Sequence, residues 1–151
     1  MRILHLATLL LVAAFLCEAA CGGSPSADSK PAKAWKDMDH EERAAYMKKT
    51  VCPKMKAEFI AFDAKEFGDM NCATCHGDGA KDKTFKMPNP KLPKLPATPE
   101  GFKKLGEEHP DAVQFMRTKV VPDMAALLGE APFDPKTHQG FGCFECHTKK
   151  E

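Results

Sequence analysis

The sequence has no excess of either charge: Lys plus Arg is 22 and Asp plus Glu is 21 over 151 residues. A nucleic-acid binder concentrates basic residues in one patch or segment, so nucleic acid is not expected among the partners. Long hydrophobic runs are equally scarce. A bilayer-spanning helix takes about 20 consecutive apolar residues, and no stretch after Cys21 approaches that, so the remainder is expected to be soluble. Also missing is any repeated acid or base of the kind a catalytic pocket requires.

The first residues contain one short apolar run, Ile3 to Leu16, behind a positive Arg2. It is too short to span a bilayer and has the layout of a signal peptide, which predicts export and a mature chain of about 130 residues. Residues 1–20 are assigned to this signal. The run Ala19-Ala20-Cys21-Gly22-Gly23 resembles a bacterial lipobox, which implies lipidation at Cys21 and attachment to a membrane. Glu18 stands where that pattern carries an apolar residue, so simple secretion remains the alternative. Residues 21–34 are rich in Gly, Ser, Pro, Ala and Lys and read as a tether between lipid and domain.

The remaining cysteines carry the chemistry. Cys72-Ala73-Thr74-Cys75-His76 and Cys143-Phe144-Glu145-Cys146-His147 are both C-x-x-C-H, the haem-attachment pattern. Residues three apart share one face of a helical turn, so two thiols meet one porphyrin edge and the adjoining imidazole takes the iron as proximal ligand. Zinc modules with paired cysteines bring their second pair about 15 to 20 residues on, whereas 68 positions separate Cys75 from Cys143. Neither a thiol redox site nor a structural disulfide needs histidine after both pairs. Two covalent haems c are expected, held by Cys72, Cys75, Cys143 and Cys146 with His76 and His147 on the irons. Cys52 stands apart and reads as a small apolar side chain.

The chain also repeats. Residues 46–55, YMKKTVCPKM, align without gaps on residues 115–124, FMRTKVVPDM, at an offset of 69, and the same offset sets His40 on His109. Each copy reads as helix, proline break, second helix and haem turn. Asp39 with Glu42 has the form of a capping box, the first helix is expected to run to about Val51, and Pro53 to open another. Met55, Phe59 and Phe62 make one apolar stripe; Met124, Leu127 and Leu128 make its counterpart before Gly129. In the middle of the chain, Thr98 and Pro99 are expected to start a short helix through Leu105.

Both stripes begin with methionine. A methionine helix shortly before C-x-x-C-H, at Met55 to His76 and at Met124 to His147, resembles the units of the cytochrome subunit of photosynthetic reaction centres. That resemblance implies Met55 and Met124 as distal iron ligands, a choice that raises the reduction potential. A methionine on an apolar stripe also serves as core filler. Met47 and Met116 are the next candidates. His40 and His109 lie at charged helix starts and read as solvated, and His138 reads as a loop residue. Residues 86–96 resemble the methionine loop of single-haem cytochromes c, but Met87 follows His76 by only 11 positions. The segment therefore reads as a proline-rich connector that covers a haem edge.

The expectation is an all-α multihaem cytochrome c over residues 35–151: unit one at 35–80, connector at 81–98, unit two at 99–151, with the haems supplying much of the core. Its expected work is one-electron transfer between periplasmic or outer-surface protein redox partners, without enzymatic chemistry. Lysines at 81, 83, 86, 91, 94, 103 and 104 would steer an acidic partner, or simply solvate a loop. The competing readings are a dihaem peroxidase or reductase with one open iron, and a haem-bearing subunit of a larger respiratory complex.

Overall fold

The computed structural model describes residues 31–150, and the expected signal peptide, Cys21 and most of the expected tether lie outside the described residues. Within them every regular element is helical, joined by turns and a few isolated β-bridges. The α-helices are α1 (His40–Tyr46), α2 (Cys52–Phe62), α3 (Ala64–Phe67), α4 (Cys72–His76), α5 (Pro99–Glu108), α6 (Pro110–Phe115) and α7 (Val121–Leu128). The all-α expectation holds.

The start of α1 follows the sequence. Asp39 Oδ1 accepts from the Glu42 N–H at 2.9 Å while Glu42 Oε2 accepts from the Asp39 N–H at 2.9 Å, satisfying two donors that a helix start leaves open. Thr98 caps α5 by accepting from the Gly101 N–H at 3.1 Å, although α5 runs past Leu105 to Glu108. Gly129, with φ of 68°, ends α7 in the left-handed region, which costs glycine no Cβ clash.

The proline break does not occur. Between α1 and α2 the chain makes a π-helical turn, Met47–Val51, and Cys52 stays helical at φ −61° and ψ −44° although Pro53 follows it. An α-helical proline clashes with the carbonyl four residues back. The wider turn, with the Cys52 N–H bonded to the Met47 carbonyl, lets the helix continue through it. The second copy repeats this at the same offset: Met116–Val120 is a π turn, and the Val121 N–H bonds to the Met116 carbonyl ahead of Pro122.

The two copies pack against each other reciprocally. The Tyr46 hydroxyl of the first donates to the Leu127 carbonyl of the second at 2.7 Å. Phe115, the counterpart of Tyr46, sits edge-on to Phe59 at 5.1 Å and stacks on Phe62 at 4.3 Å. Lys54 and Asp123, which occupy equivalent places, pair at 3.5 Å. A contact between equivalent positions marks an approximate two-fold axis. Around it Val51, Met55, Phe59, Met70, Phe115 and Leu127 form one buried cluster, and Ala125, Leu128 and Phe141 form another. Each such large side chain contributes about 1.5–3 kcal/mol by leaving water.

Candidate haem-binding site

The first C-x-x-C-H is α4 itself. Asn71 caps it, its side chain accepting from the Ala73 N–H at 2.9 Å while Thr74 Oγ1 accepts from the Asn71 N–H at 3.1 Å. The second is a tighter turn: Cys143–Glu145 is 3₁₀, preceded by Gly142 with no side-chain cap, and the His147 N–H closes on the Cys143 carbonyl at 2.9 Å. A hairpin-like loop over residues 131–142 leads into it. There Phe141 donates its N–H to the Ala131 carbonyl at 2.8 Å, and the Phe133 N–H bonds to the Phe141 carbonyl at 2.9 Å. Gly140 has φ of +96°, and a Cβ there would stand 2.4 Å from the Pro132 carbonyl oxygen.

The histidines are held differently. His147 Nδ1 lies 2.8 Å from the Pro93 carbonyl oxygen. A carbonyl only accepts, so Nδ1 carries the proton and Nε2 keeps its lone pair for a metal. His76 has a buried Nδ1 with no hydrogen-bond partner, and its ring meets Phe85 edge-on at 5.4 Å. Burial pushes the His76 imidazole below its ordinary pKa, the Phe85 backbone opposing only in part. The His76 ring is thereby suited to the neutral form that would coordinate iron.

Three of the motif thiols, Cys75, Cys143 and Cys146, are half-buried, whereas Cys72 is exposed. Burial pushes Cys75 up to about 11, helped by Cys52 and Cys72, and pushes Cys146 up to about 12, helped by Cys75, Glu145 and Cys143. Cys143 is raised for the same first reason. Low-pKa thiolates of a redox or nucleophilic site need the reverse environment. Cys52 is half-buried and lies beside the first pair: its thiol is raised by burial, by the charge of Cys72 and by a hydrogen bond with Cys72. Among the described residues no group of three or more His, Cys, Asp or Glu converges on a point that would hold a metal ion; as folded, the two pairs do not make a four-ligand zinc site.

Met55 is 5% exposed inside the first cluster, against which Cys75 packs. Met124 is half-buried and packs on both clusters, Cys146 flanking the second. Met47 and Met116 line the same core. His40, His109 and His138 are exposed, as expected, though the His40 ring lies 6.2 Å from Phe85.

The connector does more than the sequence reading allowed. Asn89 is 3% exposed. Its N–H donates to the Cys146 carbonyl at 3.0 Å and its Nδ2 donates to the Cys75 carbonyl at 2.9 Å. Beyond it the Leu95 N–H bonds to the Thr148 carbonyl at 2.9 Å and the Lys150 N–H to the Leu95 carbonyl at 2.7 Å. Lys91 also pairs with Asp78 at 2.6 Å, tying the connector to the turn after the first motif. Asn89, Pro93 and the buried Met70 were all missed from sequence. The available signals were Asn89 set between two prolines, and Gly77 directly after His76, where a Cβ would stand 2.9 Å from Asn89 Oδ1. No family model, curated protein or solved structure matches the chain.

Proposed function

We propose that the chain is an exported dihaem c-type cytochrome that carries single electrons between extracytoplasmic protein partners. The observation that carries this reading is the pair of C-x-x-C-H turns in one small helical core, with the His147 proton fixed on Nδ1 by the Pro93 carbonyl. Cys72 and Cys75 would hold one haem and Cys143 and Cys146 the other, with His76 and His147 as proximal ligands. Met55 and Met124 are the proposed distal ligands. Bound haem would supply a reversible one-electron ferric–ferrous couple that requires neither substrate nor proton.

The polypeptide's own contribution is orientation and apolar contact. Pro93 orients His147, and hydrogen-bond donation from the ring strengthens its basicity toward a metal. The apolar cluster around Met55 and Met70, against which Cys75 packs, and the cluster around Leu128 and Phe141, against which Cys146 packs, would each give one haem an apolar contact. A lipid at Cys21 would keep this carrier at a membrane; Cys21→Ser is expected to release it into the soluble fraction or stop its processing.

Visible spectra of the purified protein, reduced and oxidised, with and without carbon monoxide, test the reading. A closed carrier shows two low-spin haems c and no carbon monoxide adduct. Carbon monoxide binding at one haem together with peroxide turnover would replace the carrier by a dihaem peroxidase.

A further inference from the structure

We infer that Asn89 is a positioning residue that locks the two C-x-x-C-H turns together, so that the haems they carry form one electronically coupled pair. The inference rests on the dihaem reading above. A single buried residue holds a main-chain carbonyl of each motif: Cys146 through its backbone N–H at 3.0 Å and Cys75 through its amide Nδ2 at 2.9 Å. The amide orientation is settled by its other end, where Oδ1 accepts from the Lys91 N–H at 2.9 Å. An acceptor there obliges Nδ2 to face Cys75. Each bonded group of Asn89 thus has a defined protein partner.

The surroundings leave the clasp little freedom. Gly77, at φ +56°, has no side chain where a Cβ would meet the Asn89 amide at 2.9 Å, so the glycine admits the clasp. Pro88 and Pro90 flank Asn89 and restrict the backbone on both sides. The Lys91–Asp78 pair at 2.6 Å and the Pro93 bond to His147 fix the connector on either motif's own loop. Two chromophores attached to turns locked in this way keep one separation and one mutual angle. The ordinary alternative is an Asn-Pro turn that only stabilises a loop.

Circular dichroism of the Soret band separates the two, because two nearby haems of fixed geometry give a bisignate exciton couplet and a single haem gives none. In the holoprotein, made in a host with the cytochrome maturation system, wild type is expected to show the couplet, and a Cys143→Ala, Cys146→Ala variant that keeps one haem is expected to lose it. Asn89→Asp keeps the size and the Lys91 bond but sets an acceptor against the Cys75 carbonyl. With both haems present by intact mass, its couplet should collapse toward the sum of two single-haem spectra. Asn89→Ala should do the same; if one variant accumulates poorly, the other decides. A merely structural Asn89 lowers the melting temperature of either variant and leaves the couplet intact, which would overturn the inference, as would a two-haem wild type with no couplet. Protein without covalent haem would instead overturn the dihaem reading itself.

Discussion

The two C-x-x-C-H motifs are identical in pattern and are built by different means. The first is a capped helical turn whose half-buried histidine has a buried Nδ1 without a partner. The second is an uncapped 3₁₀ turn whose histidine is held from outside, by Pro93 of the connector, while a hairpin pinned at Gly140 supports its approach. The upstream helices, by contrast, match down to the π turn ahead of each proline. The difference teaches that the repeat preserves the scaffold while each motif obtains its rigidity from whatever surrounds it. The first adds a local cap to the Asn89 bond that reaches both motifs, and the second has its histidine held by Pro93.

The comparison breaks most visibly at the methionines. Met55→Ala is expected to abolish the methionine-to-iron band of one haem, lower that haem's potential and open it to carbon monoxide, and Met124→Ala to do so for the other haem. If the two residues are packing only, spectra stay unchanged and stability falls by about 2–5 kcal/mol, more for the buried Met55 than for half-buried Met124. Should both variants keep their bands, Met47 and Met116 inherit the role. A wild type that never shows such bands would favour His40 and His109.

Support of the second motif by its hairpin is sharpened by Gly140→Ala. The strained φ and the 2.4 Å approach to the Pro132 carbonyl should cost about 1–3 kcal/mol in denaturant unfolding. Local support of the first motif is read from Asn71→Ala, which removes the cap of α4 and should cost about 1 kcal/mol; the same replacement has no target before Cys143, where Gly142 stands. The smallest effect is a difference in potential. Because the Pro93 bond strengthens His147 as a ligand, redox titration should resolve two one-electron waves, the lower belonging to the haem at His147. A Cys72→Ala, Cys75→Ala variant, which keeps only that haem, should retain the lower wave; retention of the upper wave contradicts the assignment.

Much of the scaffold was legible in the sequence because its signals are local. The Asp39–Glu42 box, Thr98 ahead of Pro99, Gly129 after Leu128 and the 69-residue offset each act within a turn or recur at a fixed interval. The continuation through Pro53 was not legible, since a missing N–H announces a break unless the preceding turn widens, and that widening has no residue signature of its own. The candidate site was legible to the extent of its cysteines and histidines. The tautomer of His147 and the joining of the two motifs were not, because they depend on Pro93, 54 positions from His147, and on Asn89, 14 positions from Cys75. A proline-rich segment read for its composition gives extended chain; only the fold reveals that its carbonyls and its one asparagine are used.

The most direct test of the central claim is the intact mass of the protein purified from a host with the full cytochrome maturation system, after acid–acetone extraction of any non-covalent haem. The account predicts the polypeptide plus the mass of two haems, falling to one haem when either Cys72 and Cys75 or Cys143 and Cys146 are replaced by alanine. A polypeptide that loses all haem on extraction, or never carries it in that host, would contradict it.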